Sequence, residues 1–572
     1  MPFSTRLLFK SARNIHRILQ DGDTSQSSCH AEKVNTTVQD RIYYNREGSE
    51  QGIHLDDNGS TIYAIGSLTK LLISLLLMII IDKLSASKED KHKRYRKLGE
   101  EFSDPWNVEF TILFNRFSKT EIADIPGNPK LWHILTHFNS LPPMTHVLLG
   151  PDGTSLMSKE SFLKVAPRLA QLAYGNAQGN RTIYSNGNFV LIGLFIEAIA
   201  EQPLECVIKE HLFDLLGMNR SFLGPPDSKI TGIASPYTMT VDGRRVQAET
   251  KPYPVRDIMN AAAGAWSCCN DLAIVFRDLL NCIRNRESVF KKATVTGFLL
   301  TPSPLDNTTE DGFTIFGFLT TLDSSIIGSL SLNRHVSMDD ICSTYQLGRR
   351  PDGRQVPTYY LAGHIEGYSS CYYLIPQYST FVITLTNTSG LHDASDHISR
   401  FLLQKIFDLK RPRTGLARIW RAGFSKKVNV LEMSSRAAVQ GQNLLKDFAT
   451  EYGEKDMDGA DSIQLAGTYV SEVTELSIVI RPDSLLVNIV GTAQTTDNKF
   501  VRTGDMGLIR TGYDTIRLRP LSDVGFTIDR YDSYNWKELT FHLVRDKATK
   551  QKVIGLERRI KPLADKFTRR ES

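Results

Sequence analysis

The most apolar stretch of the chain is LLISLLLMIII at residues 71–81, in which Ser74 is the one polar residue. It ends at Asp82-Lys83 and is shorter than the roughly 20 apolar residues that a bilayer span requires. A helix that is apolar on every side lies inside a domain rather than on its surface. The run therefore predicts a buried central helix, no membrane span, and a rigid, shielded setting for whatever stands at its start.

The rest of residues 60–405 alternates helical periodicity with short strand-like runs. GNFVLIGLFIEAIAEQP at 187–203 predicts a second buried helix, while CYYLIP and TFVITLTN at 371–376 and 380–387 predict two strands joined by a turn. A unit that mixes long buried helices with paired strands belongs to the mixed α and β class.

The pattern changes again in the last third of the chain. Residues 408–461 turn polar and basic around one helical-looking stretch, and we interpret them as a partly helical linker. Beyond 462, LSIVI and LLVNIV flank the turn formers RPDS, which is a hairpin signal, and further alternating runs follow to the end. The sequence thus predicts a unit at 1–407, the linker, and a small antiparallel β-barrel at 462–572.

Composition narrows the range of functions. The 572 residues carry a net charge of only +5, from 68 basic and 63 acidic side chains, so no nucleic-acid partner is expected. The cysteines are sparse and show neither a CxxC pair nor zinc-ligand spacing, and Cys268 and Cys269 are interpreted as packing residues. Reduced thiols, no metal site and no cofactor are therefore predicted.

The N-terminus is basic and amphipathic, with Arg6, Lys10, Arg13 and Arg17 and no acidic residue before Asp21. It lacks the compact apolar block and small-residue cleavage site of a secretory signal. An amphipathic first helix of a cytoplasmic protein is favoured, with a transit peptide as the alternative.

An S-x-x-K arrangement, Ser67 to Lys70, stands where the buried helix begins. Residues three apart on a helix are neighbours on one face, so the amine can reach the hydroxyl. Burial disfavours the charged form of an amine, which makes Lys70 a candidate base for an otherwise unreactive serine. The same tetrapeptide spacing recurs at 85–88, 161–164 and 288–291, but only Ser67 follows a glycine and leads directly into an all-apolar helix.

A loop of turn formers precedes the second buried helix and contains Tyr184, Ser185 and Asn186. A phenol at this point could share a proton with Ser67 and Lys70, and an amide could position the acyl group of a substrate. We predict these roles for Tyr184 and Asn186, although Tyr184 has the alternative of a half-buried loop residue without a catalytic role.

Four stretches together resemble the serine β-lactamase and penicillin-binding-protein-like family, specifically its branch of class C β-lactamases, D-Ala-D-Ala carboxypeptidases, esterases and transesterases. They are AIGSLTK (64–70), LWHILTHFNSL (131–141), YSNGNFVLIG with LFDLLGM (184–193 and 212–218), and AAAGAWSCCNDLA (261–273), in family order. The resemblance implies an α+β fold, an α/β/α sandwich with an antiparallel sheet plus a helical subdomain, and Ser67 as the nucleophile. It also implies a fungal-type, lipocalin-like C-terminal β unit, opening at LAGTYVSE.

The family's third motif is a K-T-G or H-x-G strand that faces the nucleophile. The candidate here is Leu361-Ala362-Gly363, followed by His364. On that alignment the resemblance implies that the main-chain N–H groups of Ser67 and His364 form an oxyanion hole, beside the substrate contacts of Leu361 and Gly363. An alternative register would place His364 itself at the motif's cation position.

Leucine at position 361 cannot pair with a substrate carboxylate as a lysine or histidine would. The hypothesis is therefore a serine esterase or acyltransferase for neutral esters or thioesters. Presentation of the substrate by an acyl carrier protein is its finer form, and a role in secondary metabolism is implied by resemblance alone. The alternatives are a catalytically inactive protein that keeps the fold as a binding scaffold, and a true β-lactamase or peptidase.

Other polar residues are assigned structural roles. His137, in the L-T-H segment, is interpreted as a buried structural histidine. His392, Asp393 and Asp396 lie close together after TNTSG, and we interpret them as polar groups of a loop rather than metal ligands.

Overall fold

A computed structural model describes most of the chain beyond residue 58 and three strands before it. The described residues are 26–33, 39–45, 52–54, 59–174, 181–240, 244–304, 311–322, 352–407, 430–453, 464–482, 486–494, 499–512, 514–519, 539–549, 552–560 and 563–570, with the isolated positions 17, 18, 328, 330, 331, 333, 347, 350, 409, 484 and 521. The predicted N-terminal amphipathic segment and much of the predicted linker lie outside them.

The first unit contains one large antiparallel sheet and several two- or three-stranded ones. Its strands are β1 (Gln26–Lys33), β2 (Gln39–Asn45), β3 (Gly52–His54), β4 (Tyr63–Ala64), β5 (Phe138–Asn139), β6 (Arg181–Thr182), β7 (Phe222–Leu223), β8 (Tyr237–Met239), β9 (Arg245–Gln247), β10 (Ala265–Ser267), β11 (Ser303–Pro304), β12 (Gly312–Thr314), β13 (Gly317–Thr321), β14 (Pro357–Ile365), β15 (Tyr368–Ile375), β16 (Thr380–Thr386) and β17 (Thr388–Ser389). The large sheet has the order β11-β12-β13-β14-β15-β16-β1-β2-β3. The predicted strand pair is confirmed as β15 and β16, which pair antiparallel with Cys371 opposite Thr384.

Helices cover both faces of this sheet and build a separate helical region. They are α1 (Thr69–Ile79), α2 (Lys93–Glu101), α3 (Phe110–Phe117), α4 (Leu131–Leu135), α5 (Thr145–Leu148), α6 (Lys159–Tyr174), α7 (Asn186–Ala200), α8 (Leu204–Ile208), α9 (Asp214–Leu216), α10 (Asn260–Ala263), α11 (Cys269–Ile283), α12 (Lys292–Leu300), α13 (Ala394–Ile406) and α14 (Val430–Gly453). Phe276 of α11 stacks on Tyr372 and Phe381 on one face of the sheet. Tyr373, the next residue along β15, faces α13, where its hydroxyl reaches Asp396. The alternation of side chains along β15 thus fills both layers of the predicted α/β/α sandwich.

The apolar run forms the centre of the helical region, as predicted. All eleven residues of α1 are buried, and the chain continues through a wide π-type turn at Ile80–Leu84. The second predicted helix is confirmed as α7, which begins at Asn186 and buries most of its length. Because both helices are surrounded by protein, the residues at their N-termini are held at fixed positions.

The C-terminal unit is a curled antiparallel sheet, a half-barrel, which confirms the predicted second all-β domain. Its strands are β18 (Gly467–Ser471), β19 (Ser477–Ile480), β20 (Val487–Gln494), β21 (Phe500–Arg502), β22 (Gly507–Gly512), β23 (Thr515–Arg519), β24 (Thr540–Arg545), β25 (Val553–Ile560) and β26 (Leu563–Arg569). The predicted hairpin is the β19–β20 pair. The order β21-β20-β19-β18-β26-β25-β24-β23-β22 ends in two strands that follow each other in the chain, and a Val487–Met506 bridge joins the start of β20 to the residue before β22.

This half-barrel docks on the helical region through main-chain hydrogen bonds. Thr492 and Ala493 donate their N–H groups to the carbonyl of Leu156, at 2.7 and 3.1 Å, and Gly504 donates to the Asp152 carboxylate at 2.9 Å. A groove of about 710 Å³ remains between the units, lined by residues 153–160, 251–258, 492–494 and 501. Across the described ranges, no helix has both the length and the apolar character to cross a membrane.

Candidate active site

Ser67 lies in a single 3-10 turn, Gly66–Leu68, that leads directly into α1. Gly66 adopts a positive φ of 48°, a conformation that a residue with a Cβ rarely adopts. Thr69 fixes the turn further, because its hydroxyl donates to the Gly66 carbonyl at 2.6 Å and accepts from the Ala265 N–H at 3.0 Å. The serine is therefore presented at the mouth of the buried helix on a turn of defined shape, and it remains partly exposed.

The Lys70 side chain is 3% exposed and points at Ser67. Its Nζ lies 3.1 Å from Ser67 Oγ, 2.7 Å from Asn186 Oδ1 and 2.8 Å from the carbonyl oxygen of Ala262. An ammonium group has three N–H donors, and three acceptors converge here. Burial by itself favoured a neutral amine in the sequence argument, whereas these acceptors stabilise the charged form.

Tyr184 and Asn186 approach the serine from the loop before α7. The Tyr184 hydroxyl donates to Ser67 Oγ at 2.7 Å, and the Lys70 Nζ lies 5.0 Å from the centroid of the tyrosine ring. Asn186 receives a hydrogen bond from Lys70 and donates through Nδ2 to the Thr145 hydroxyl at 3.0 Å. The structure thus brings together the four predicted side chains Ser67, Lys70, Tyr184 and Asn186 in one hydrogen-bonded group.

His137 supports this loop from behind and does not contact the serine. Its Nδ1 lies 3.2 Å from the Ser185 N–H and 3.0 Å from Asn188 Nδ2, and its ring lies 4.6 Å from the Tyr184 ring. Burial, and secondly the charge of Lys70, hold the pKa of His137 well below its ordinary value. A neutral imidazole that accepts main-chain and amide donors fits the structural role expected for this residue.

The chain segment before Ser67 crosses strand β14 at very short range. A Cβ placed on Gly363 would lie 2.4 Å from the Ile65 carbonyl and 2.9 Å from the Ser67 nitrogen, and one placed on Gly66 would lie 2.8 Å from both the nitrogen and the oxygen of His364. Glycine at both positions permits this crossing. The main-chain nitrogens of Ser67 and His364 are consequently adjacent, as an oxyanion hole requires.

The two faces of β14 separate Leu361 from His364. Leu361 is buried and lines a small void of about 10 Å³ together with Lys70, Tyr184 and Phe313. His364 directs its side chain to the opposite face, where Nε2 lies 3.5 Å from Asp393 Oδ2. Leu361 therefore occupies the position beside the lysine, and the alternative register, with the His364 imidazole facing the serine, does not match this geometry.

Sequence reasoning missed three groups that hold the site together. The Ala262 carbonyl binds Lys70, Thr145 binds Asn186, and Ser370 donates from β15 to the Ile65 carbonyl at 2.9 Å. A main-chain carbonyl has no residue-type signature, and isolated hydroxyl residues are too common to stand out. The AAAG stretch around Ala262 was noticed for its resemblance, but not for this contact.

The polar residues after TNTSG form a buried cluster at the start of α13, where Asp396 lies in the helix rather than in a loop. His392, Asp393 and Asp396 are each 2% exposed or less, because Asp393 caps the N-terminus of α13 by accepting from the Asp396 N–H. Within the described ranges no group of three or more His, Cys, Asp or Glu side chains could hold a metal ion. Cys268 and Cys269 are buried free thiols, and burial raises the pKa of Cys268 to about 12.

The arrangement can deliver and remove a proton at Ser67 Oγ. Once the Tyr184 phenol has released its proton to solvent, the neighbouring ammonium stabilises the phenolate, which can accept the serine proton as a carbonyl is attacked and becomes a phenol again. Two adjacent N–H groups offer a site for the negative charge that develops on the substrate oxygen. A base beside the serine and two N–H donors for the oxyanion are the groups that acyl transfer through a serine ester requires.

Comparison with known proteins shows the family of the chain. Residues 37–405 match the family model described as Beta-lactamase, so the chain belongs to the β-lactamase family, whose members are generally serine hydrolases. No curated protein matches the chain significantly.

Several solved structures are similar at low identity. A penicillin-binding protein homologue from Pyrococcus abyssi, an octamer, is 16% identical with a TM-score of 0.48, over 98% of this chain and 100% of that chain. A class C β-lactamase from Rhodobacter sphaeroides is 13% identical with a TM-score of 0.46, over 69% and 98%. A β-lactamase/D-alanine carboxypeptidase from Pseudomonas syringae is 12% identical with a TM-score of 0.45, over 71% and 100%.

Proposed function

We propose that this protein is a serine acyl enzyme that hydrolyses or transfers the acyl group of neutral esters or thioesters. The observation that carries the proposal is the contact of Ser67 Oγ with both the Tyr184 hydroxyl, at 2.7 Å, and the Lys70 amine, at 3.1 Å. An inert serine needs an adjacent base, and a base needs an orienting partner. Both conditions are met around this oxygen.

The reaction begins with attack of Ser67 Oγ on the substrate carbonyl. The serine proton passes to the phenolate form of Tyr184, which becomes a phenol, and the oxyanion is held by the main-chain N–H groups of Ser67 and His364. Collapse expels the alcohol or thiol, which takes a proton back from Tyr184, and leaves an ester on Ser67. Water, or an acceptor alcohol or amine, then cleaves that ester by the reverse sequence.

Leu361 supports a neutral acyl donor. Leu361 lies beside Lys70, at the position where the family has a cationic residue, and its apolar side chain cannot pair with a substrate carboxylate. Tyr184, Phe313 and Leu361 give the adjoining wall an apolar character. An acyl chain delivered by an acyl carrier protein, as in secondary metabolism, is the finer form of the proposal.

A fluorophosphonate probe tests the nucleophile directly, because it phosphonylates an activated serine without needing the natural substrate. We expect labelling of the wild-type protein and none of Ser67→Ala. Ser161→Ala is the matched control, since Ser161 opens an accidental S-x-x-K copy and is buried. Labelling that persists in Ser67→Ala would overturn the proposal.

Substrate class is tested by two chromogenic assays. A burst of nitrophenol from a short-chain nitrophenyl ester, equal to one equivalent of protein, is the expected result. Absence of both burst and labelling would favour the inactive scaffold instead. Steady nitrocefin turnover would favour a β-lactamase and would contradict the argument from Leu361.

A further inference from the structure

Two chain segments support the side chains around Ser67 from different sides. One segment contains α10, where the Ala262 carbonyl accepts from Lys70 Nζ at 2.8 Å. The other contains α5, where the Thr145 hydroxyl accepts from Asn186 Nδ2 at 3.0 Å. Since Lys70 Nζ also donates to Asn186 Oδ1 at 2.7 Å, the position of the amine depends on both segments.

These two segments are joined, away from the lysine, by the side chain of Asp257. Its Oδ1 accepts from the hydroxyl of Ser155, 102 residues away in the chain, at 3.0 Å. The same oxygen accepts from the Met259 N–H at 2.8 Å. Ser155 is 9% exposed and Asp257 is half-buried, so water competes with these bonds only in part. Asp257 therefore fastens one segment to the other.

The single turn of α10 carries this link from Asp257 to Lys70. The Met259 carbonyl accepts from the N–H groups of Ala262 and Ala263, both at 2.9 Å. The Ala262 carbonyl is in turn an acceptor for Lys70 Nζ. Because these bonds hold the turn as one piece, a shift of Met259 also moves the acceptor of the amine.

Main-chain bonds carry the link from Ser155 to α5 on the other side. Leu149 and Ser155 pair antiparallel, and the Leu156 N–H donates to the Leu148 carbonyl at 2.8 Å. The Leu149 N–H then donates to the Thr145 carbonyl at 2.8 Å. The segment that contains Ser155 is thus fastened directly to the helix that holds Asn186.

The contacts close into a ring, which we call the support ring. Its members in order are Lys70, Ala262, Asp257, Ser155, Thr145 and Asn186. In a closed ring no member moves without displacing a neighbour on either side, so each bond restrains all of the others. Apart from the two bonds of Asn186, the Ser155–Asp257 bond is the link of this ring made by two side chains, and substitution can remove it.

The backbone before Asp257 is held in an uncommon conformation. Arg256 has a φ of 66°, in the left-handed region that few residues with a Cβ adopt. Its N–H donates to Glu205 Oε1 at 2.6 Å, and Asn260 Nδ2 donates to the same oxygen at 2.8 Å. Such strain persists where surrounding contacts enforce it. The contacts of Glu205 therefore hold the turn from which Asp257 reaches Ser155.

The half-barrel supports the ring at Leu156, the residue after Ser155. The Leu156 carbonyl accepts from the N–H groups of Thr492 and Ala493. Glycine at position 491 permits this approach, because a Cβ there would overlap the same carbonyl oxygen. The C-terminal unit thus restricts movement of the segment that contains Ser155.

We propose that Asp257 is a positioning residue for acyl transfer: by accepting the Ser155 hydroxyl, it closes the support ring and fixes Lys70 beside Ser67. This inference rests on the proposed function. Asp257 acts through the Ala262 carbonyl and the α5 segment rather than on the substrate. Opening the ring lets the amine move relative to Ser67 Oγ, and a misplacement of about 1 Å can lower a rate as much as about a hundredfold.

Fluorophosphonate labelling of the full-length protein measures the effect at Ser67. Ser155→Ala removes the donor and should lower the maximal labelling rate about three- to tenfold, the value of one hydrogen bond. Asp257→Leu should lower it about ten- to a hundredfold. Asp257→Asn keeps an acceptor oxygen and should restore the rate to within about twofold of the wild type. In each variant the probe concentration that gives half the maximal rate should stay unchanged, because no contact with the probe is removed.

A second serine–aspartate pair provides the matched control. The Ser288 hydroxyl donates to Asp278 Oδ2 at 2.6 Å, and this oxygen also accepts from the Val289 N–H at 3.1 Å. Ser288→Ala should label at the wild-type rate. The double variant Ser155→Ala/Asp257→Leu should label no more slowly than Asp257→Leu, because both changes remove the same link. Wild-type labelling by Ser155→Ala, or an equal loss in Ser288→Ala, would overturn the inference, and neither variant requires Asp257→Leu to fold.

Hydrogen exchange followed by mass spectrometry reports on the ring without any activity. In Ser155→Ala the amides of residues 145–149 and 259–264 should both exchange faster than in the wild type, and in Ser288→Ala they should not. Unchanged exchange would overturn the link itself, and faster exchange with a wild-type labelling rate would overturn its role in positioning. If Ser67→Ala still labels, the proposed function fails, whereas the exchange result concerns the ring alone and keeps the two outcomes separate.

Discussion

The polar groups on the two faces of β14 differ in their partners, which are neutral on one face and charged on the other. In front of the strand, Lys70 is surrounded by neutral acceptors and adjoins a partly exposed serine. Behind it, carboxylates and a guanidinium are sealed from water, with Asp396 and Arg400 fully buried. Neutral partners let a proton move at little electrostatic cost, while opposed charges in a low-dielectric layer lock a geometry. The front is built for chemistry and the back for rigidity.

The largest expected difference between the faces is in reactivity. Lys70→Met should slow fluorophosphonate labelling by about 10³ to 10⁴, because the phenolate formed on Tyr184 loses its counter-charge. Labelling kinetics measure this effect. Lys159→Met, which removes a partly exposed lysine paired with Glu197, should leave the rate unchanged. If the labelling rate of Lys70→Met fell by less than tenfold, the reactivity of Ser67 would not depend on the Lys70 amine.

On the rear face the expected effect is on stability. Arg400→Met leaves two buried carboxylates without their permanent cation and should lower the free energy of unfolding by about 3–5 kcal/mol. Urea denaturation of the full chain measures it. Arg116→Met, which breaks an exposed ion pair with Glu101, is the matched control and should change stability far less. If Arg400→Met and Arg116→Met lowered the free energy of unfolding equally, the buried ion pair would contribute no more to stability than the exposed one.

A carboxyl group whose pKa is raised by burial sharpens the comparison. Asp257, at the groove between the units, accepts from the Ser155 hydroxyl and the Met259 N–H, and burial raises its pKa from 3.8 to about 6. The native state then binds more protons than the unfolded state between these values, so stability falls as pH rises from about 4 to about 6. Because Asp257 is half-buried, we expect the free energy of unfolding of Asp257→Asn to be about 1–2 kcal/mol higher than that of the wild type at pH 7.

Urea denaturation of Asp257→Asn at two pH values provides the check. The advantage of the variant should vanish as pH falls toward about 4, where the wild-type carboxyl is protonated in the native state. A gain that is independent of pH would mean that the charge of Asp257 is not the cause.

The smallest expected effect concerns the orientation of Asn186. Thr145→Val removes the acceptor of its amide group and should lower kcat/KM for a nitrophenyl ester by about three- to tenfold, the value of one hydrogen bond. Thr111→Val is the control, because both threonines are 8% exposed. Equal losses in the two variants would indicate a general packing effect rather than a role for the Thr145–Asn186 bond.

Much of the fold and of the front face could be predicted from the sequence because the signals are local. The apolar run at 71–81 predicts a buried helix from its composition alone, and the spacing of Ser67 and Lys70 places them on one face of a helix. Tyr184 and Asn186 were found through their loop and the ordered resemblance. The Ala262 carbonyl and the Thr145 hydroxyl were not predicted, since neither leaves a pattern in the residues around it.

The contacts that relate His364, Asp393 and Arg400 in space could not be predicted from the sequence. His364 was predicted as a main-chain donor of the oxyanion hole and Asp393 as a polar loop residue, while Arg400 was not singled out. Their relation depends on which side of β14 the imidazole faces and on how α13 packs against that side. Such contacts join residues distant in the chain, so no periodicity or local spacing encodes them.

The sequence by itself determined the class of fold, the buried helix, and the serine with its nearest partner, because burial and helical spacing are properties of contiguous residues. The tertiary structure alone decided the three acceptors around Lys70, the close approach of Gly66 and Gly363, and the burial of charged side chains behind β14. Those features follow from the packing of distant segments, where a few tenths of an ångström determine what a site can do.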